Sequence, residues 1–175
     1  PNFKTKVIWA STWYDPAKEA DAAKALIDQG ADVITQHTDS PAALQAAEQR
    51  GVFAFGQASD MKAFAPKAHL TAIVDDWSGY YIKRVKDVMD GTWKSGAVWG
   101  GIKDGFVKLA PYNDAVTPEA RKAPDAVKEG IASGKLHPFT GELKDQKGEV
   151  RVKAGEHASD EMLSKMDWYV DGIQA

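Results

Sequence analysis

The sequence contains no cysteine. A disulfide framework, a thiolate nucleophile and a sulfur-bound zinc site are therefore excluded, although the absence does not choose a compartment. Long apolar runs are missing too: nothing approaches the roughly 20 residues needed to cross a bilayer, and the opening PNFKTKVIWAS lacks a signal-peptide pattern. An excess of positive charge is equally absent. With 22 Lys and Arg against 25 Asp and Glu the net charge is -3, which leaves no basic footprint for DNA or RNA. There is no GxSxG elbow, no GxGxxG after a strand, no HExxH and no GxxxxGKS/T loop, and the four histidines, His37, His69, His137 and His157, are scattered. No catalytic residue, metal site or cofactor is expected.

What is present is one domain's worth of chain, 175 residues with 43% hydrophobic and 27% charged side chains. Six tryptophans stand out, and five of them, Trp13, Trp77, Trp93, Trp99 and Trp168, lie beside Gly, Pro, Asp or polar neighbours. An indole offers a flat apolar face and one donor, which serves stacking on a planar ligand as well as plain packing.

Strands and helices alternate along the first half. Lys6–Ala10 (KVIWA) reads as a strand, followed by a turn and a helix over Pro16–Gln29 with Asp15 as N-cap, Pro16 at its first position and Gly30 as its stop. The unit repeats as the strand Ala31–Gln36, a helix over Pro41–Gln49 capped by Ser40 and ended by Gly51, and a third strand Val52–Gly56. His69–Val74 is a fourth strand, and a helix opened by Asp76 or Ser78 runs to about Met89. The expected fold class is α/β, a doubly wound, mostly parallel sheet. Beyond Gly91 the runs AVWGGI and FVKLAPY around the turn KDG suggest a β-hairpin, and Thr117–Ser133 a helix disturbed by Pro124. A final short helix falls around Ser159–Lys165. Residues 1–133 are thus expected as a Rossmann-like lobe and residues 134–175 as a C-terminal appendage and hinge-type segment of the same domain.

In open α/β sheets ligands bind outside the carboxyl ends of the parallel strands. There the sequence gathers Thr12, Trp13, Tyr14 and Asp15 after the first strand, and Gln36, His37, Thr38 and Asp39 after the second. Gln57, Ser59 and Asp60 follow the third, and Asp75, Asp76 and Trp77 the fourth. Phosphorylated ligands are disfavoured, because these turns carry acid instead of glycine and lysine. A neutral planar ligand fits better: Trp13 stacks on a heterocycle while carboxylates accept from its N–H groups or from ribose hydroxyls. Asp15, Asp39 and Asp76 are equally suited to helix capping, and His37 to a surface role. Asp60 stands apart, with no clear helix after it. The candidate ligand contacts are Trp13, Asp60, Asp75, Thr12, Gln36 and Thr38.

The segments VIWASTWYDPAKEADAAKALIDQGADVITQHTDSPA, GVFAFGQASDM, GTWKSGAVWGGIKDGFVKLAPYN and MDWYVDGI together resemble the basic membrane protein family of ABC-transporter solute-binding lipoproteins, which includes purine-nucleoside receptors. The resemblance spans nearly the whole chain. It implies a two-lobed periplasmic-binding-protein architecture in which this chain is the second, C-terminal lobe. The other lobe would come from an N-terminal half, the partner would be an ABC permease, and the location would be periplasmic with a lipoprotein anchor. It also implies that Trp13 stacks on the base and that Asp60, in GQASD, stands where an acid grips the ribose. Where the purine-nucleoside members have a lysine after the next strand, this chain has Asp75, which tilts the expected ligand from a nucleoside toward a free purine base such as adenine. Two readings from other classes stand beside this one. One is a flavodoxin-like or sugar-processing enzyme using Asp39, Asp60 and Asp75; the other is the effector domain of a transcription regulator.

Overall fold

The computed structural model describes residues 4–175. They form two compact units, one spanning Ala10–Pro124, the other joining Asp125–Ala175 to the opening segment through Trp9. The division between the two units lies at Pro124–Asp125, within a helix. The opening strand is also shorter than expected. β1 (Thr5–Lys6) replaces the anticipated Lys6–Ala10 and pairs in parallel with the last strand of the chain, Ile173–Gln174. After it Val7 N–H still bonds to the Gln174 carbonyl at 2.7 Å, but the ladder ends there. This pairing explains why the opening strand groups with the tail.

The unit Ala10–Pro124 begins with α1 (Pro16–Asp28). Asp15 caps it, accepting from the Lys18 N–H at 3.2 Å, while Glu19 accepts from the Asp15 N–H at 2.9 Å, so two orphan donors of the helix start are satisfied. β2 (Val33–Ile34), α2 (Ala42–Gln49) and β3 (Phe53–Gly56) follow. Both helices stop by the same device. Gly30 (φ 93°) and Gly51 (φ 71°) take the left-handed conformation open to glycine, and the next residues, Ala31 and Val52, bond back to the Leu26 and Ala47 carbonyls at 3.1 and 3.0 Å. That closure turns the chain directly into the following strand.

A short 3₁₀ turn (Lys62–Phe64), β4 (His69–Asp75), α3 (Ser78–Met89), β5 (Val107–Leu109) and α4 (Pro118–Ala132) complete the run. The sheet order is β2-β3-β4-β5, with β2, β3 and β4 parallel and β5 antiparallel to β4. The α/β, mostly parallel architecture read from the sequence is thus the architecture of this unit. The hairpin expected around Lys103–Gly105 is not. AVWGGI forms no strand, and its intended partner pairs instead with β4, Val107 opposite Asp75 and Leu109 opposite Ile73. A seven-residue strand with a free edge offers FVKLAPY a longer ladder than the glycine-rich AVWGGI, whose Gly100 lies so close to the Phe106 ring that a Cβ there would overlap it.

The core lies where α1 and α2 pack on each other and on β2 and β3. It is built from Ala23, Ile34, Ala43, Leu44, Ala46, Ala47 and Ala54, closed by Met61, Ala65 and Ala68 from the connection to β4. Alanines let the helices approach closely, and Leu44 fills the space between them. α4 is continuous from Pro118 although Pro124 lies inside it, and Thr117 caps it by accepting from the Ala120 N–H.

In the other unit β6 (Leu143–Lys144) and β7 (Val150–Val152) form an antiparallel pair. The nearly buried Asp145 at their turn accepts from Arg151 and from the Lys147 and Glu149 N–H groups. α5 (Asp160–Ser164), capped by Ser159, and β8 (Ile173–Gln174) close the chain.

Candidate functional site

The carboxyl ends of β2, β3 and β4 share one edge of the sheet, and the loops that leave them carry the polar residues singled out in the sequence. The segment Ala10–Asp15 joins them there: the Asp39 N–H donates to the Trp13 carbonyl at 2.9 Å, and the Trp13 and His37 rings meet edge to face with centroids 6.0 Å apart. Trp13 is 69% exposed, and Tyr14 beside it is exposed too. A large indole left open in a chain with a packed core is a surface that has yet to be covered.

Below Trp13 the loops are pinned by a carboxylate that looked like an ordinary helix-surface acid in the sequence. Glu19 is buried. Its Oε2 accepts from the Ser40 hydroxyl at 2.6 Å, the Thr38 hydroxyl at 2.8 Å and the Ser40 N–H at 3.2 Å, while Oε1 takes the Asp15 N–H. Gln36 reinforces the same loop by donating from Nε2 to the Thr38 and Ser40 carbonyls at 2.8 and 2.7 Å. Thr38 and Gln36 are therefore engaged in shaping the loop. Thr12 is half-buried in the neighbouring segment. Ser40, and not Asp39, is the side chain that accepts at the start of α2, from the Ala42 N–H.

The second cluster follows β3. Ala58 adopts φ 59°, a left-handed conformation that is uncommon for any residue with a Cβ, and its carbonyl takes the Asp75 N–H at 3.0 Å. This bond holds the loop after β3 against the end of β4. Asp60 then turns the chain into the 3₁₀ helix, its Oδ1 accepting from the Lys62 N–H at 3.0 Å. The sequence had suggested that no helix starts after Asp60; the single turn that does start is too short to carry an amphipathic pattern. The Asp60 side chain is nonetheless 45% exposed, and beneath it lies His69, fully buried, with Nε2 3.5 Å from Oδ1. Burial pushes the His69 imidazole below its ordinary value, against the opposing pull of the Asp60 carboxylate.

After β4, Asp75 is exposed beside Asp76. Asp76 bonds to Lys108 of β5 and to Ser78 at the start of α3, and the Lys108 ammonium above all holds its carboxyl well below the usual carboxylate range. Asp76 is thus spent on structure. Trp77 is packed against Phe106, with centroids 4.9 Å apart, and against Tyr80. A depression of about 590 Å³ lies against α3 and β5, lined by Tyr80, Lys83, Arg84, Phe106 and Lys108, and of the strand-end residues it reaches only Asp76. Among the described residues no group of three or more His, Asp or Glu side chains is arranged to hold a metal ion. The geometry offers an exposed aromatic face, exposed carboxylates and fixed loops at this edge of the sheet.

Comparison with known proteins gives this surface its context. Residues 1–137 match the family model described as "ABC transporter substrate-binding protein PnrA-like" (Bmp). The chain belongs to this PnrA-like family. It is 56% identical over 173 residues to the purine-binding protein BAB2_0673 of Brucella abortus, covering 99% of this chain and 49% of that protein. It is 33% identical over 175 residues to a putative ABC transporter glucose-binding protein, TsgA13, of Haloferax volcanii, covering 99% of this chain and 42% of the relative. The chain thus spans about half the length of the curated relatives it matches. The crystal structure of a transcriptional activator of the comK gene from Bacillus halodurans superposes with a TM-score of 0.63 at 21% identity, covering 74% of this chain and 46% of that one, a likeness of fold alone. Solute-binding proteins of ABC transporters share the fold as well. PnrA-like proteins are substrate-binding components, and no helix among the described residues is long and apolar enough to cross a membrane.

Proposed function

We propose that this chain forms the second lobe of a two-lobed solute-binding protein that captures a purine base and presents it to an ABC permease. The observation that carries the reading is the open indole of Trp13 against the loop that leaves β2, at the sheet edge where the loops after β3 and β4 expose Asp60 and Asp75. A flat heterocycle gains from stacking on that face, and its N–H groups find carboxylate acceptors within the same rim. The purine-binding relative agrees in ligand class. Free base is preferred to nucleoside because Asp75 stands where a cation serves the nucleoside receptors of the family.

In this reading the ligand lies between two lobes, so closure of the missing lobe over Trp13 supplies the other half of the contact. One lobe alone then binds weakly, since half of the buried surface is absent. The working place is extracytoplasmic, with the full-length protein held at the membrane by a lipoprotein anchor. Thr12, Gln36 and Thr38 shape the rim, while Trp13, Asp60 and Asp75 meet the ligand.

Tryptophan fluorescence of the full-length protein, titrated with adenine, guanosine and glucose, tests the reading. Saturable quenching by adenine, lost in Trp13→Ala and without chemical change of the ligand, is the expected result. Saturation by glucose alone would move the ligand to the sugar class, and turnover of any of the three would return the chain to the enzymes.

A further inference from the structure

His69, the first residue of β4, is fully buried, and neither of its imidazole nitrogens has a hydrogen-bond partner among the described residues. Buried polar atoms left in that state are rare in folded proteins, so each asks for a physical reason. Its position is closely determined. His69 opens β4 opposite Ala54, and the register of the β3–β4 pair slips immediately afterwards, between Ala54 and Phe55. The ring lies against Gly56: a Cβ at that position would stand 3.1 Å from His69 Nε2 and 2.8 Å from the Ala72 Cβ, so a larger residue there would crowd both the imidazole and β4. Above it the chain folds back through the left-handed Ala58 and ends on Asp60, whose Oδ1 stands 3.5 Å from Nε2.

We propose that His69 is the positioning residue of Asp60, donating from Nε2–H to Oδ1 so that the second carboxylate oxygen is held ready for the ligand. This rests on the reading of Asp60 as a ligand contact. A neutral imidazole carries one N–H, and on Nε2 it faces the Asp60 carboxylate. A closing movement of a few tenths of an ångström turns 3.5 Å into a hydrogen bond of ordinary length. Oδ1 already takes the Lys62 N–H, so the two donors together fix the carboxylate plane, and Oδ2 has no hydrogen bond among the described residues. The side chain does not touch the solute. It sets the aim of one that does, and the buried glycine at residue 56 belongs to the same device.

The test uses the full-length protein with ¹⁵N-labelled histidine, and adenine as the probe. The expected spectrum shows His69 as the neutral Nε2–H tautomer, with a protected imidazole proton that moves in Asp60→Asn. Adenine affinity should fall about tenfold in His69→Leu, stay within about threefold in His69→Gln, which restores a donor, and fall no further when His69→Leu is added to Asp60→Asn. A proton on Nδ1, a spectrum indifferent to Asp60→Asn, or additive losses in the double variant would overturn the proposal. Should His69→Leu fail to fold, the tautomer and the His69→Gln affinity decide. If the wild type binds no purine, the ligand reading fails, and the ligand-free spectrum still decides the contact between His69 and Asp60.

Discussion

Helices α2 and α3 each follow a strand of the same parallel sheet, yet they are buried to opposite degrees. In α2 Ala43, Leu44, Ala46 and Ala47 all lie in the core, packed against α1, β2 and β3. In α3 no residue is buried, and Tyr81, Ile82, Val85, Val88 and Met89 stand open, continued along the chain by exposed Trp93 and Trp99. The two helices have apolar faces of similar strength in sequence, so periodicity alone tells which side of a helix is apolar and not whether anything covers it. The α1–α2 side is a finished core. The α3 side of the sheet holds its shape through aromatic contacts around Trp77 and through charge.

That difference can be broken or sharpened by substitution. The largest effect is expected in the finished core: Leu44→Ala, at a fully buried site, should lower stability by about 2–5 kcal/mol, whereas Val85→Ala on α3 should cost less than about 0.5 kcal/mol. Urea denaturation of both variants checks the contrast, and equal losses would show that α3 is packed after all. The next effect concerns charge. Glu19→Ala removes the buried acceptor of four donors and should cost roughly 2–3 kcal/mol, with the loops around Trp13 losing amide protection in hydrogen exchange.

On the α3 side Asp76 provides the corresponding carboxylate, and its effect should be the smallest. Its native carboxyl titrates below the unfolded value of 3.8, because Lys108 holds it ionised. The stability it contributes is therefore fully present above about pH 4 and is lost as the pH falls further. Asp76→Asn should lower the midpoint at pH 7 slightly, by the small amount expected of an exposed pair, and flatten the decline of stability at acid pH. A clear loss at neutral pH would mean that the exposed pair matters more than surface ion pairs generally do.

Much of this arrangement was legible before any coordinates. The α1 and α2 boundaries followed from Asp15, Pro16, Gly30 and Gly51, because caps and left-handed stops are local chemistry. The strand-end residues followed from the rule that a parallel sheet presents its carboxyl ends together. What escaped were the facts decided by distant partners. Thr5–Lys6 pairs with β8, more than 160 residues away, and Val107–Leu109 chose the free edge of β4 over a neighbouring glycine-rich run. The contacts of Glu19 and His69 were invisible for the same reason. A helix-surface glutamate and an isolated histidine gain their neighbours only when Ser40 and Asp60 are brought against them. The sequence offered a hint in each case, a serine before a helix and a glycine ending a strand, but neither names its partner.

The most direct test of the account is a crystal structure of the full-length protein with adenine bound. The account predicts the purine ring stacked on the Trp13 indole with the Asp60 carboxylate within hydrogen-bonding distance of the same molecule. Adenine seated instead in the depression between α3 and β5, or touching Trp13 while Asp60 faces away from it, would contradict the account.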